Sequence, residues 1–198
     1  MRIIILNGAS SSGKTSIAKQ IQEQAKEPYL WTGLDHVIFM LPNKMNDYKG
    51  ALTPHDGFGW KRRQDKEGRI LHDLIPGAYG QQVYELMFAQ AKLFADLGHH
   101  VIVDQVSLSN GDYQKWCQQL SQHDLFVVGV KADLEELERR ECARGDRLIG
   151  GTRAQSEHVH EGFEYDLFLN TTNVSSNEAA KQILMLLEEK ILQNHVDG

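Results

Sequence analysis

Strand-like and helix-like segments alternate along the 198-residue chain, which predicts an α/β fold with a parallel sheet covered by helices on both faces. Three observations carry this prediction. Ile3, Ile4, Ile5 and Leu6 form an unbroken apolar run, as expected of a strand buried on both faces. A glycine-rich turn follows, and then Ile17, Ala18, Ile21 and Ala25 recur at helical spacing until Pro28 marks the stop. Further along, residues 101–103 and 125–130 repeat the buried-strand signature.

The remaining elements fall between these. Residues 29–34 suit a second short strand. A helical pattern runs from about 80 to 97, with Val83, Leu86, Met87 and Phe94 on its apolar side and Gly98 as the residue that ends it. Tyr113, Trp116, Cys117 and Leu120 suggest another amphipathic helix. Asp133-Leu134-Glu135-Glu136 reads as a capping box opening a charged helix. Residues 166–169 form a last short strand. Ser175 and Glu178 read as a second capping box, opening a C-terminal helix that carries Ile183, Leu186, Leu187 and Ile191. The least regular stretch, residues 42–76, is too long for an ordinary connection and reads as a functional insertion or a flap.

The chain length predicts one domain spanning residues 1–198. A net charge of −6 argues against general nucleic-acid binding, which needs basic surface. No apolar run is long enough for a membrane span or a signal peptide, so the expected location is cytoplasmic. In that compartment Cys117 and Cys142 read as reduced, structural thiols.

The strongest chemical signal is Gly8-Ala9-Ser10-Ser11-Ser12-Gly13-Lys14-Thr15, a P-loop placed between a strand and a helix. Its glycines permit close backbone approach, its N–H groups suit phosphate oxygens, and the positive end of the following helix favours the anion. Lys14 supplies charge for the β- and γ-phosphates of ATP, and Thr15 offers a hydroxyl to Mg²⁺. Asp104, ending an apolar strand, reads as the second Mg²⁺-orienting group. These features make the expected architecture a three-layer P-loop NTPase fold.

Arg139, Arg140, Arg144, Arg147 and Arg153 are five of the nine arginines and fall within fifteen residues, which marks residues 139–158 as a candidate lid. Arg139 reads as a partner of the neighbouring glutamates. Arg144 and Arg147, beside Gly145, read as groups that stabilise charge on a transferred phosphoryl. Asp35 follows the second strand, where ligands gather in open parallel sheets. Its position alone suits equally a base for an attacking hydroxyl or a helix N-cap.

With these pieces placed, the chain resembles the chloramphenicol phosphotransferase family of P-loop kinases. The resemblance rests on Ile4-Ile5-Leu6-Asn7-Gly8 leading into Ser11, Gly13 and Lys14; on Gly33-Leu34-Asp35; on Leu41-Pro42 with Lys44-Met45; and on Val103-Asp104. It continues through Val128-Gly129-Val130, Ala143-Arg144-Gly145-Asp146-Arg147, His160-Glu161-Gly162, Tyr165-Asp166 and Thr171-Thr172. It implies that Asp35 is the catalytic base, that Lys14 and Thr15 serve phosphate and Mg²⁺, and that Arg144 and Arg147 belong to the lid. The family pattern has two adjacent acids where this chain has Asp104-Gln105, so Gln105 weakens or redirects the task of a second acid. The resemblance is weakest between about residues 46 and 79.

The expected function is ATP-dependent transfer of the γ-phosphate to a hydroxyl of a small molecule, with ATP and Mg²⁺ required and neither nucleic acid nor membrane as partner. Two alternatives stand beside it: a P-loop kinase of another metabolite or a nucleotide, and an ATP-binding switch with little transferase activity. Asp35 and the arginine pair weigh against the switch, which needs neither a base nor a lid of this kind.

Overall fold

A computed structural model describes residues 1–47, 56–109, 111–145 and 148–196, with side chains described through residue 190. Its main sheet holds β1 (Arg2–Asn7), β2 (Tyr29–Gly33), β5 (His100–Gln105), β6 (Asp124–Lys131) and β7 (Leu167–Asn170). The order is β2-β5-β1-β6-β7, and every neighbouring pair is parallel. The first strand is therefore the central one. Its run of isoleucines is continuous because alternate residues feed opposite faces. Ile3 and Ile5 pack into one core and Ile4 and Leu6 into the other, all fully buried.

Helices cover both faces, as the alternation predicts. On one side lie α1 (Lys14–Gln24) and α7 (Ser176–Val196), which bring Ile17, Ala18, Ile21, Ala180 and Ile183 against Ile4, Leu6, Ile102 and Val128. On the other lie α2 (Leu34–Phe39), α3 (Ala78–Asp96) and α4 (Asp112–Gln119). Fully burying one such aliphatic side chain contributes about 1.5–3 kcal/mol. Among the described residues no helix is long and apolar enough to cross a membrane.

Three local expectations need correcting. The buried face of α3 is built on Val83, Tyr84, Met87, Phe88, Ala91 and Ala95, while Leu86 is exposed. Tyr84 turns the helix inward because its ring packs on Phe88 and Trp116 while its hydroxyl donates to Asp112 at 2.9 Å. Asp133 does precede the charged helix α5 (Leu134–Arg144), but its side chain makes no capping bond. The carboxylate of Glu136 is taken instead by Arg139 and Arg140, a charge-assisted pairing that outcompetes the return bond of a capping box. The second box is half formed: the Glu178 amide donates to the Ser175 hydroxyl at 3.2 Å.

The stretch expected to be irregular contains an antiparallel hairpin of β3 (Phe58–Gln64) and β4 (Ile70–Pro76), preceded by a 3₁₀ turn at Asn43–Met45. Its tip is closed by the Asp65 carboxylate, which accepts from the amides of Glu67 (3.0 Å) and Arg69 (2.8 Å), with Gly68 in the left-handed region. Its base is tied to the start of α3 by main-chain hydrogen bonds. The Gly77 amide donates to the Gly57 carbonyl and the Gly80 amide to that of Asp56, both at 2.7 Å. The hairpin packs against the segment that holds α6 (Gly151–Ser156), since Gly150 lies close on the Ile70 carbonyl and His72 bonds to the Ile149 carbonyl at 2.8 Å.

The Gly80 contact yields a prediction in which two effects oppose each other. Helix propensity alone favours alanine over glycine by about 1 kcal/mol. A Cβ on Gly80, however, falls 2.3 Å from the Gly57 carbonyl oxygen, a backbone atom that cannot swing away. We expect Gly80→Ala to lose about 1–3 kcal/mol in urea unfolding. Gln82→Ala, at an exposed position of the same helix, should change stability by less than about 0.5 kcal/mol.

Candidate active site

The glycine-rich turn between β1 and α1 forms a tight cradle, and its carbonyls are held by protein donors. The Ala9 carbonyl accepts from the Lys14 ammonium at 2.8 Å. Ser11 accepts from Arg140 at 3.3 Å, and Ser12 accepts from the Thr171 hydroxyl at 2.8 Å. Three acceptors that would repel phosphate are thereby neutralised. Gly13, the residue before α1, has φ 96°, and Ser11 is also left-handed at φ 62°, a conformation that costs a non-glycine residue energy. Gly8 has no room for a side chain, since a Cβ would lie 2.0 Å from the Val130 carbonyl oxygen. The hydroxyls of Ser11 and Ser12 are buried with no partner among the described residues. Glycines at close approaches, neutralised carbonyls and unpartnered hydroxyls fit a phosphate group.

The sheet register brings the acids to this loop. Leu6 lies opposite Asp104, and Asp104 lies opposite Gly33, so the ends of β1, β5 and β2 stand side by side. Gly33 permits this approach, because a Cβ there would fall 2.5 Å from the Asp104 carbonyl oxygen. The Thr15 hydroxyl donates to the Asp104 carboxylate at 2.6 Å, and the Lys14 ammonium stands 3.9 Å from it. Burial pushes the Asp104 carboxyl above its ordinary pKa, while Lys14 and the Thr15 hydroxyl pull it back. A hydroxyl and a carboxylate in contact suit a hard cation that takes its remaining ligands from phosphate and water, as Mg²⁺ does. Among the described residues no cluster of three or more His, Cys, Asp or Glu side chains could hold a metal ion.

Asp35 is half-buried in the first turn of α2, and the residue that caps this helix is Gly33, not Asp35. The capping alternative for Asp35 is thus not what the fold uses. Its charge is near enough to help raise the Asp104 carboxyl. Asp35, Lys14, Thr15 and Asp104 line one cleft of about 600 Å³. The same cleft is also lined by Phe39, Trp60, Leu74 and Gln105.

The arginine-rich segment divides by role. Arg139 makes two bonds to Glu136 at 2.7 and 2.8 Å on the surface, as expected. Arg153 pairs with Glu138 in the same two-pronged manner. Arg144 ends α5 and lines the cleft, and Gly145 beyond it adopts φ 64°. Arg147 lies outside the described residues. Three groups to which sequence reasoning gave no individual role hold the site together. Arg140 reaches from Glu136 to the Ser11 carbonyl and to Thr171. The Gln155 side-chain carboxamide oxygen accepts from the Ser10 amide at 2.7 Å. The buried Glu141 carboxylate accepts from the amides of Gly150 (2.9 Å) and Thr152 (2.7 Å) at the start of α6. For Arg140 the only local sign is its spacing of four from Glu136, and that spacing says nothing of the loop it also reaches.

This geometry invites comparison with known proteins. A family model described as chloramphenicol phosphotransferase-like protein matches residues 1–188. The chain belongs to the chloramphenicol phosphotransferase-like family. A Mycobacterium tuberculosis (strain H37Rv) protein named "Putative O-phosphotransferase Rv2636" is 30% identical over 182 residues, covering 92% of this chain and 80% of that protein. A sugar kinase from Janibacter sp. HTCC2649 superposes with TM-score 0.63 at 14% identity, covering 95% of each chain. A gluconokinase from Sinorhizobium meliloti does so with TM-score 0.59 at 15% identity, covering 98% of this chain and 96% of its own. The protein is a phosphotransferase built on the P-loop kinase fold, which implies use of a nucleotide.

One further network fixes the site of this phosphotransferase from below. The Asn7 carboxamide, fully buried at the end of β1, donates to the Val159 carbonyl (2.7 Å) and the Tyr165 hydroxyl (2.8 Å) and accepts from the Ser107 amide (3.1 Å). Burial pushes the Tyr165 hydroxyl up to about 12, and its oxygen hydrogen-bonds with His160 Nδ1 at 2.7 Å. Burial, then the charges of Lys14 and Lys131, lowers the His160 pKa to about 4. The unfolded value is about 6.5, so between these limits only the unfolded chain takes the proton. The stability that His160 contributes is therefore complete above about pH 6.5 and lost as pH falls towards 4. Thermal midpoints across this range should fall less steeply for His160→Gln than for the parent.

Proposed function

We propose that this chain transfers the γ-phosphoryl group of ATP to a hydroxyl of a small molecule, with Mg²⁺ required. The observation that carries the reading is that Asp35 shares one cleft with Lys14 and the Thr15–Asp104 pair. Lys14 and the loop Gly8-Ala9-Ser10-Ser11-Ser12-Gly13 bind the phosphates. Thr15 and Asp104 hold Mg²⁺, which when bound neutralises charge on the phosphate oxygens. The acceptor hydroxyl lies against Asp35. As its oxygen bonds to the γ-phosphorus, its proton passes to the Asp35 carboxylate and the bond to the ADP oxygen breaks. Arg144, assisted by Arg147, meets the charge on the transferred group from the lid side.

Family membership supports chloramphenicol as the first acceptor to test. A product one phosphate heavier, detected by mass spectrometry, is the expected result. If another hydroxyl compound is phosphorylated under conditions where chloramphenicol is not, the antibiotic is discarded and the transferase reading stays.

The roles separate experimentally. Lys14→Ala should lose most MgATP affinity in isothermal titration while remaining folded. Asp35→Asn should keep its thermal midpoint and MgATP affinity and lose phosphoryl transfer by on the order of 10²-fold or more, because asparagine keeps the shape but takes no proton. A fully active Asp35→Asn would leave the proton without its assigned base. Arg144→Ala should lower turnover by on the order of 10³-fold with a much smaller effect on ATP affinity. Near-normal turnover would make Arg144 a surface residue of α5.

A further inference from the structure

The cleft wall contains one group that the transfer chemistry leaves unused. Gln105 is the last residue of β5, next to Asp104 and in register with Asn7. It is fully buried and lines the cleft. Neither its carboxamide oxygen nor its nitrogen has a hydrogen-bond partner among the described residues. The contrast with Asn7 is informative. That buried carboxamide, beside it in the sheet, spends both donors and its acceptor on protein groups.

An unpaired buried donor or acceptor costs about 1–3 kcal/mol, and Gln105 carries both in one group. A fold under no other demand places an apolar side chain of the same size there. The surroundings point the same way. The same cleft is also lined by the apolar side chains of Ile38, Phe39, Trp60, Leu74 and Val106. The cations of the cleft, Lys14, Arg140 and Arg144, come from the phosphate loop and from α5. Among the described lining residues these three are the lysine and arginine side chains, and His36 lines the cleft as well.

We propose that Gln105 is the residue that selects the acceptor, by turning its carboxamide into the cleft onto a neutral group that offers both a hydrogen-bond donor and an acceptor. A primary amide is the simplest such group. An acid at this position would only accept, and would reject a carboxylate by repulsion as well. A carboxamide instead rewards the paired neutral group. This inference rests on the reading of the cleft as a hydroxyl-acceptor site and specifies which acceptors enter it.

The test uses two matched aromatic alcohols, 4-(hydroxymethyl)benzamide and 4-(hydroxymethyl)benzoate, with the full chain saturated by Mg²⁺ and a non-hydrolysable ATP analogue. Titration by ligand-observed NMR should show the amide binding at least about tenfold more tightly, the worth of about one net hydrogen bond. Gln105→Met, close in volume, should lose that preference and keep its affinity for the ATP analogue. The same variant should also have an unchanged or higher thermal midpoint, because two unpaired buried polar atoms are removed. A merely structural glutamine would give the reverse pattern, with lower stability and unchanged acceptor preference. Equal affinity for the two alcohols, binding of neither, or a preference that survives Gln105→Met overturns the assignment. Phosphoryl transfer is measured separately with MgATP. Amide binding that depends on Gln105 without any transfer would overturn the hydroxyl-transfer reading and leave the Gln105 assignment standing.

Discussion

The parallel register of three strands is the constraint on which the site depends. With β1 at the centre of the sheet, Leu6 faces Asp104 on one neighbour and Val128 on the other, and Asp104 faces Gly33 one strand further out. The candidate site residues stand at these positions or just past them: Asp104 itself, Gly8 after β1, Asp35 after β2 and Gln105 at the end of β5. A strand slipped by one residue would turn its whole apolar set to the opposite face. The isoleucine run of β1 feeds two separate cores, so both cores resist that slip. The burial that stabilises the fold therefore also fixes the distances between the phosphate loop and the acids.

Charge is handled at this edge by pairing it and by limiting what remains loose. Lys14 and Asp104 are nearly buried side chains 3.9 Å apart, each also bonded to a neighbour. Such a pair contributes little net stability, because desolvation offsets most of the attraction, but removing one partner leaves the other stranded. Around it, Glu136, Arg140 and Thr171 form a second layer that clasps the loop from the side of α5. The loop enters the site already shaped, so less ordering remains to be done when a phosphate arrives.

Much of this was legible in the sequence, and the reasons differ by element. The buried strands announce themselves because both faces are apolar, and the P-loop because its backbone demands glycine at fixed offsets. Asp35 and Asp104 were legible by position, as acids at strand ends. The hairpin was not. Its strands are two-sided and partly exposed, with Lys61, Arg62 and Arg63 in succession, so no clean alternation marks it. Arg140, Gln155 and Glu141 were hidden for another reason: each acts across more than the local turn, on partners that only the tertiary fold brings near. Arg139, whose partner sits three residues away on the same helix, was readable for the converse reason.

The anchoring of the hairpin divides the molecule into a part that cannot drift and a part that can. At its base, the bonds from Gly77 and Gly80 use only main-chain atoms and are indifferent to the side chains of the strands. Trp60 and Leu74, which sit opposite each other in the hairpin register, are the side chains it sends into the cleft wall. Substitutions at this pair can recontour one wall while the hairpin stays where its glycines hold it. The phosphate side has no such freedom, since Gly8, Gly33 and the loop carbonyls are fixed by backbone contacts of their own. The shape of this cleft can therefore be redrawn from a two-stranded ribbon that lies outside the main sheet, without a change in the loop that carries Gly8 and Lys14.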